Sequence, residues 1–285
     1  MGTEIFKTFQ PRHQQIAWFV LSLLLLLRLP FTIIIIFLLP IENQNGSAIY
    51  EVGTYLLTAF LVLWEYDNLS DFHIETSALA LIIFLRPVQT LILNYWGVDS
   101  PLAFPNPFGL MLSAISIGLF IALWRKGWRL TPVSRATLGW LIVGLFAGIF
   151  VSVLENLKLF SSSLSHVHSF RIAPVLVPTS LNLLYHLSFA PINEEPLFRG
   201  FLWGYLRRRQ WNETWIWLLQ GGLFTIAHVY FASQYPVIFW IFIPFSGLLL
   251  GWLAWRARTI APGMLAHALI NGSVYILILG LLSFV

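Results

Sequence analysis

The chain has 285 residues, of which 58% are hydrophobic and only 10% charged, with a mean hydropathy of +0.79. A soluble domain carries about 25% charged residues, so this composition excludes a water-soluble globule and marks an all-α integral membrane protein. The net charge of +4 does not point to nucleic acid, because Lys and Arg fall in short clusters between apolar runs. The lack of cysteine excludes disulfides, thiolate metal sites, thiol catalysis and thiol-linked lipid anchors.

A membrane span needs about 20 mostly apolar residues. The polar start, "MGTEIFKTFQPRHQQ", precedes a run that reaches Pro40, too long for a signal-peptide core and so an uncleaved first span. Candidate spans follow at 15–40, 48–65, 76–96, 106–124, 137–158, 175–206, 213–231, 237–255 and 261–284. The second and third are the weakest, because Arg86-Pro87 interrupts one and the acidic linker "EYDNLSDFHIE" separates them. The expected architecture is a polytopic bundle of eight or nine transmembrane helices. The Ser-rich segment 161–174 divides an N-terminal helical region (1–174) from a C-terminal core (175–285) that holds the site.

Orientation follows from Lys and Arg. The loops "RKGWRLTPVSR" (125–135), "RRR" (207–209) and "RAR" (256–258) are expected in the cytoplasm, with the acidic linker on the same side and the C-terminus outside.

Ionisable side chains inside spans cost roughly 2.5–3.5 kcal/mol each on insertion scales and are functional candidates by default. In the back half they are Glu194, Glu195, Arg199, His228 and His267, with the polar Asn271 beside them. The sixth and seventh spans form a hairpin whose tip lies near Trp211. Glu194 is 17 residues before that tip and His228 17 residues after it, so the two lie at equal depth and can face one another. Glu195 and Arg199 are spaced i,i+4 and can pair, leaving Glu194 free. Pro191 and Pro196 loosen the helix around the glutamates.

In the last span "HALIN" places His267 and Asn271 on one face, roughly 13–20 Å along the helix from the tip near Arg258. Gly247 and Gly251 permit close helix approach. One carboxylate, two imidazoles and a carboxamide suit hydrolysis of an acyl bond: the glutamate takes a proton from water, a histidine shares that water or protonates the leaving amine, and the amide and second histidine donate to the oxyanion.

Bland readings account for other residues. His186 reads as an interhelical hydrogen-bonder, His166 and His168 as solvated loop residues, and the wealth of Trp and Phe as interfacial belt and packing. Taken alone, Glu195–Arg199 is an ordinary structural ion pair. The matched depth on three spans is what a structural reading leaves unexplained.

At these residues the sequence resembles the CAAX proteases and bacteriocin-processing enzymes (CPBP, or Abi), whose motifs EExxxR, FxxxH and HxxxN fall on successive helices. Here they read "EEPLFR" (Glu194, Glu195, Arg199), "FTIAH" (Phe224, His228) and "HALIN" (His267, Asn271), and Gly200 also matches. The family's Thr-Gly-Ser turn before the third motif is replaced by "ARTIAPG", in a loop. The resemblance covers roughly 178–276.

The resemblance implies an intramembrane endopeptidase acting on membrane-associated proteins or peptides, in a multi-pass protein of a prokaryotic plasma membrane whose site opens toward the cytoplasm. By carry-over Glu194 is the general base, His228 helps to activate water, and His267 and Asn271 form the oxyanion site. Glu195, Arg199 and Phe224 support them. No cofactor is favoured; the alternative is zinc on Glu194, His228 and His267, although the HExxH pattern is missing. The partners are the lipid bilayer and the substrate, with no nucleic acid.

A rhomboid-like serine enzyme is disfavoured because "PFSG" (244–247) lacks the first Gly of its loop, and a presenilin-like one because Asp67, Asp71 and Asp99 lie outside spans. A transporter is disfavoured because the polar set is confined to the back half, without repeated halves. The remaining rival is a catalytically silent scaffold or immunity-type protein of the same fold.

Overall fold

The structure, a computed structural model, describes residues 11–29, 44–156 and 173–282, with side chains described in those ranges except at 11, 44, 173–176 and 273–282. The rest of the expected first span, His166, His168 and the chain end lie outside the described residues. The described elements are α1 (Pro11–Arg28), α2 (Gln44–Trp64), a 3-10 segment (Tyr66–Phe72), α3 (Thr76–Tyr95), α4 (Pro107–Arg125), α5 (Arg135–Glu155) and α6 (Ala173–Ser188). There follow α7 (Ala190–Glu195), a π segment (Pro196–Leu202), α8 (Trp203–Arg208), α9 (Glu213–Ala227), α10 (Phe231–Gln234), a second π segment (Ile238–Phe242), α11 (Ile243–Ala257) and α12 (Ala261–Leu282). There is no strand among the described residues. Among the described residues, five helical stretches are long and apolar enough to cross a membrane: Asn45–Trp64, Thr76–Tyr95, Pro107–Arg125, Arg135–Glu155 and Ile238–Ala257.

The two spans that read as weakest are unbroken helices. Pro87 lies inside α3 without ending it, and Arg86 is fully buried because Glu51 of α2 meets it at 3.0 Å and Gln89 at 2.7 Å. The expected span 175–206 is instead broken at Phe189, which has non-helical angles (φ −101°, ψ −97°). Pro191 lies in the first turn after the break, where its missing N–H cannot bond back to the turn before it.

Every residue from 191 to 206 is buried, so the stretch that carries the paired glutamates is the central element of the bundle. Pro196 has no N–H to give to the preceding turn, and the helix widens to π pitch from there to Leu202.

The acidic linker seats on this central stretch. A Cβ at Gly204 would lie 2.9 Å from the Asp71 carbonyl oxygen, so only glycine lets the linker approach this closely. The three basic loops gather at the same end. Arg208 bonds Glu65 (3.1 Å) and Asp71 (3.0 Å), Arg258 pairs with Glu213 (3.5 Å), and Lys126 reaches the Leu63 carbonyl (3.4 Å). Ser134 caps α5 by accepting from the Thr137 N–H, and Thr137 in turn faces Glu75 at 3.4 Å. Placing the acidic linker with the basic loops therefore agrees with the fold.

Candidate active site

Glu194, Glu195, Arg199, His228 and His267 come together and are all buried. Equal counts from the hairpin tip do bring the first pair face to face: His228, at the C-terminal end of α9, places its Nε2 within 3.8 Å of Glu194 Oε2. From α12, His267 Nε2 reaches the same oxygen at 3.9 Å.

The tautomers follow from the other ring nitrogens. His228 Nδ1 lies 2.8 Å from the Phe224 carbonyl, which can only accept, so Nδ1 carries the hydrogen and Nε2 presents a lone pair. His267 Nδ1 lies 2.8 Å from Glu195 Oε1, and the same logic leaves its Nε2 bare. Glu194 Oε2 has no hydrogen-bond partner among the described residues. Three acceptors thus converge on one point, an arrangement suited to a partner that carries protons.

Glu195 holds this geometry. Its Oε1 accepts from Arg199 Nη1 (3.2 Å) as well as from His267, and both members of the ion pair are fully buried. Arg199 also donates to the Gly247 carbonyl (3.0 Å), and its guanidinium lies 4.4 Å from the Phe224 ring centre. Phe224 contacts both histidine rings, with centroids 4.5 Å from His228 and 5.8 Å from His267. A Cβ at Gly247 would sit 3.1 Å from Phe224, which is why a small residue is needed where α11 crosses α9.

Two expectations need correction. Glu194 is not free: Arg28, the last residue of α1, donates to its Oε1 and also bonds the Tyr50 hydroxyl at 2.8 Å. The polar set is not confined to the back half either. Besides Arg28, the buried Glu51–Arg86 pair of α2 and α3 accepts a 2.9 Å bond from Asn193. Asn271 lies one turn beyond His267 on α12; it is exposed, and none of the cluster's described hydrogen bonds goes to it. Arg28 left a signal in the sequence, a lone cation in "LLLLLRLP", but its partner is 166 residues away and no local spacing connects them.

The donor types, two imidazoles and a carboxylate, are ones that zinc accepts. Their electrostatics suit a divalent cation poorly, because Arg28 already places a positive charge on Glu194. Among the described residues no group of three or more His, Cys, Asp or Glu is arranged to hold a metal ion.

Residues 176–273 match the family described as Rce1-like, type II CAAX prenyl endopeptidase Rce1-like. This part of the chain is similar to that family. The Rce1-like match spans about a third of the chain and contains every residue of the three motifs, while Arg28, Glu51 and Arg86 lie outside it. No curated protein and no solved structure matches the chain.

Proposed function

We propose that the protein is a CAAX-type intramembrane endopeptidase that hydrolyses peptide bonds of membrane-associated proteins or peptides with water activated by Glu194. The observation that carries this is the convergence of Glu194 Oε2, His228 Nε2 and His267 Nε2, all buried and all bare of hydrogen. A water held there donates to the carboxylate and to one imidazole, which turns its oxygen lone pair toward a substrate carbonyl.

In this reading Glu194 takes a proton as the water oxygen bonds to the carbonyl carbon. In the reacting complex His267, its charge balanced by the Glu195 carboxylate, holds on Nε2 a proton taken up from solvent and donates it as a hydrogen bond to the oxyanion, with the Asn271 carboxamide as a further donor. Collapse breaks the C–N bond, and the proton taken from water passes to the leaving nitrogen. His228 steers the water from the opposite helix. The reaction proposed is metal-free, which the Arg28–Glu194 pair favours.

The same proposal reads residues 175–285 as the catalytic core of an eight- or nine-span bundle. The gathering of all three basic loops at one end supports a cytoplasmic location for that end, and His267 lies within two turns of it along α12, so the site is read as opening to that side.

The test compares peptide termini across whole membranes containing either the wild-type protein or E194Q. New termini that appear only with the wild type are expected, and the fragments name the substrate. Indistinguishable termini at equal protein levels would overturn the proposal and favour the scaffold reading.

A further inference from the structure

The Rce1-like match begins at residue 176, yet the carboxylate proposed as the base is held from outside it. Glu194 Oε1 takes a guanidinium hydrogen bond from Arg28 of α1, and Tyr50 of α2 accepts a second bond from Arg28 at 2.8 Å. The next residue toward the N-terminus, Asn193, is fixed from the same side by Glu51, which Arg86 holds at 3.0 Å. A carboxylate has two oxygens. With Oε1 tied to α1, the rotation that would carry Oε2 away from His228 and His267 is blocked.

We infer that Arg28 is a positioning residue for the reaction: a guanidinium supplied by the front half that locks Glu194 with one oxygen toward the two imidazoles. The inference rests on Glu194 as the base. Arg28 acts on the reaction through that carboxylate. Its effect is therefore expected on the rate of the chemical step, with substrate binding spared. A displacement of about 1 Å in a reacting group can cost on the order of a hundredfold in rate. A lysine at the same place keeps the charge and loses the planar two-pronged geometry, so it restores only part.

The experiment uses the full-length protein in detergent or liposomes, with an internally quenched farnesylated peptide ending in a CAAX sequence as the probe. Wild type, R28K, R28Q, Y50F and E194Q are compared for kcat, KM and thermal unfolding. The expected order of kcat is wild type, then Y50F and R28K reduced several-fold, then R28Q reduced roughly tenfold to a hundredfold, all with KM unchanged. A merely structural role for Arg28 predicts instead that kcat per folded molecule stays constant while the melting temperature falls.

If E194Q cleaves as well as wild type, the reading of the base fails. If E194Q is inactive while R28Q keeps wild-type kcat, Arg28 alone is misassigned. Should R28Q fail to fold by itself, the double variant R28Q/E194Q is expected to fold, since no buried carboxylate is then left unpaired. A double variant that also fails to fold would place Arg28 elsewhere in the architecture and overturn the inference.

Discussion

Replacing Glu195 with alanine isolates the second carboxylate of the pair. In the native fold Glu195 and Arg199 are both fully buried, 3.2 Å apart, and Glu195 also accepts from His267 Nδ1 at 2.8 Å. Alanine leaves the guanidinium with the Gly247 carbonyl and the Phe224 face, neither of which carries a compensating charge. Removing one partner of a buried pair costs about 3–5 kcal/mol, and an unsatisfied His267 N–H adds roughly 1–3 kcal/mol. That sum approaches the whole stability of a typical domain, so E195A should accumulate poorly and unfold far below wild type in a detergent melt. The double variant E195L/R199M removes both charges and should recover most of the fold, because a buried ion pair replaced by apolar groups is often neutral. It should remain inactive, since His267 loses the acceptor that fixes its tautomer. An E195A protein with normal yield, melting temperature and turnover would refute the reasoning, because the pair would then contribute nothing.

Four further outcomes are expected. E194Q keeps the shape of the side chain and removes its ability to accept a proton, so turnover should drop by roughly 10²–10⁴-fold with substrate binding retained, and exhaustive chelation should leave wild-type turnover intact. His73, in the linker outside the spans, is pushed down to about 3 by burial first and then by Arg207 and Arg258. It stays neutral in the fold while the unfolded chain protonates near 6.5, so stability should fall as pH drops below about 6.5, by at most about 1.4 kcal/mol per unit; H73Q should flatten melting curves measured between about pH 5 and 6.5. A reporter fused after Val285 should read non-cytoplasmic, and a cytoplasmic signal would break the assignment of spans.

Much of this site is legible from local rules applied to the sequence. The i,i+4 spacing of Glu195 and Arg199 gave their pair, and equal counts from the hairpin tip brought Glu194 opposite His228. What escaped was non-local or a deviation from regular helix. No pattern in the chain links Arg28 to Glu194 or Glu51 to Asn193, because those contacts depend on how helices far apart in sequence dock. The break at Phe189 and the π turns after Pro196 depend on how two prolines are accommodated, and periodicity alone averages over them. Pairing also explains why Arg86-Pro87 misled: an arginine that looks like an interruption becomes a core residue once Glu51 meets it.

Each buried carboxylate at the centre has its own arginine, and two of these ties join the halves: Arg28 to Glu194, and Arg208 to Glu65. Such pairs are weak sources of net stability but costly to break, which makes them selective for one docking of the helices. The consequence for the back half is direct. A fragment of residues 175–285 retains the three motifs but strands Glu194 and Arg208 and leaves Asn193 without Glu51. At about 3–5 kcal/mol for each broken buried charge pair, that fragment should not accumulate as a folded protein. Co-expressing 1–160 with 175–285 should restore both halves, since the ties between them run through side chains and need no covalent link. Membrane yield and cleavage of the farnesylated probe would be measured for each half alone and for the pair. A stable, active 175–285 fragment would show that the site is complete within the back half, and would remove Arg28 from it as well.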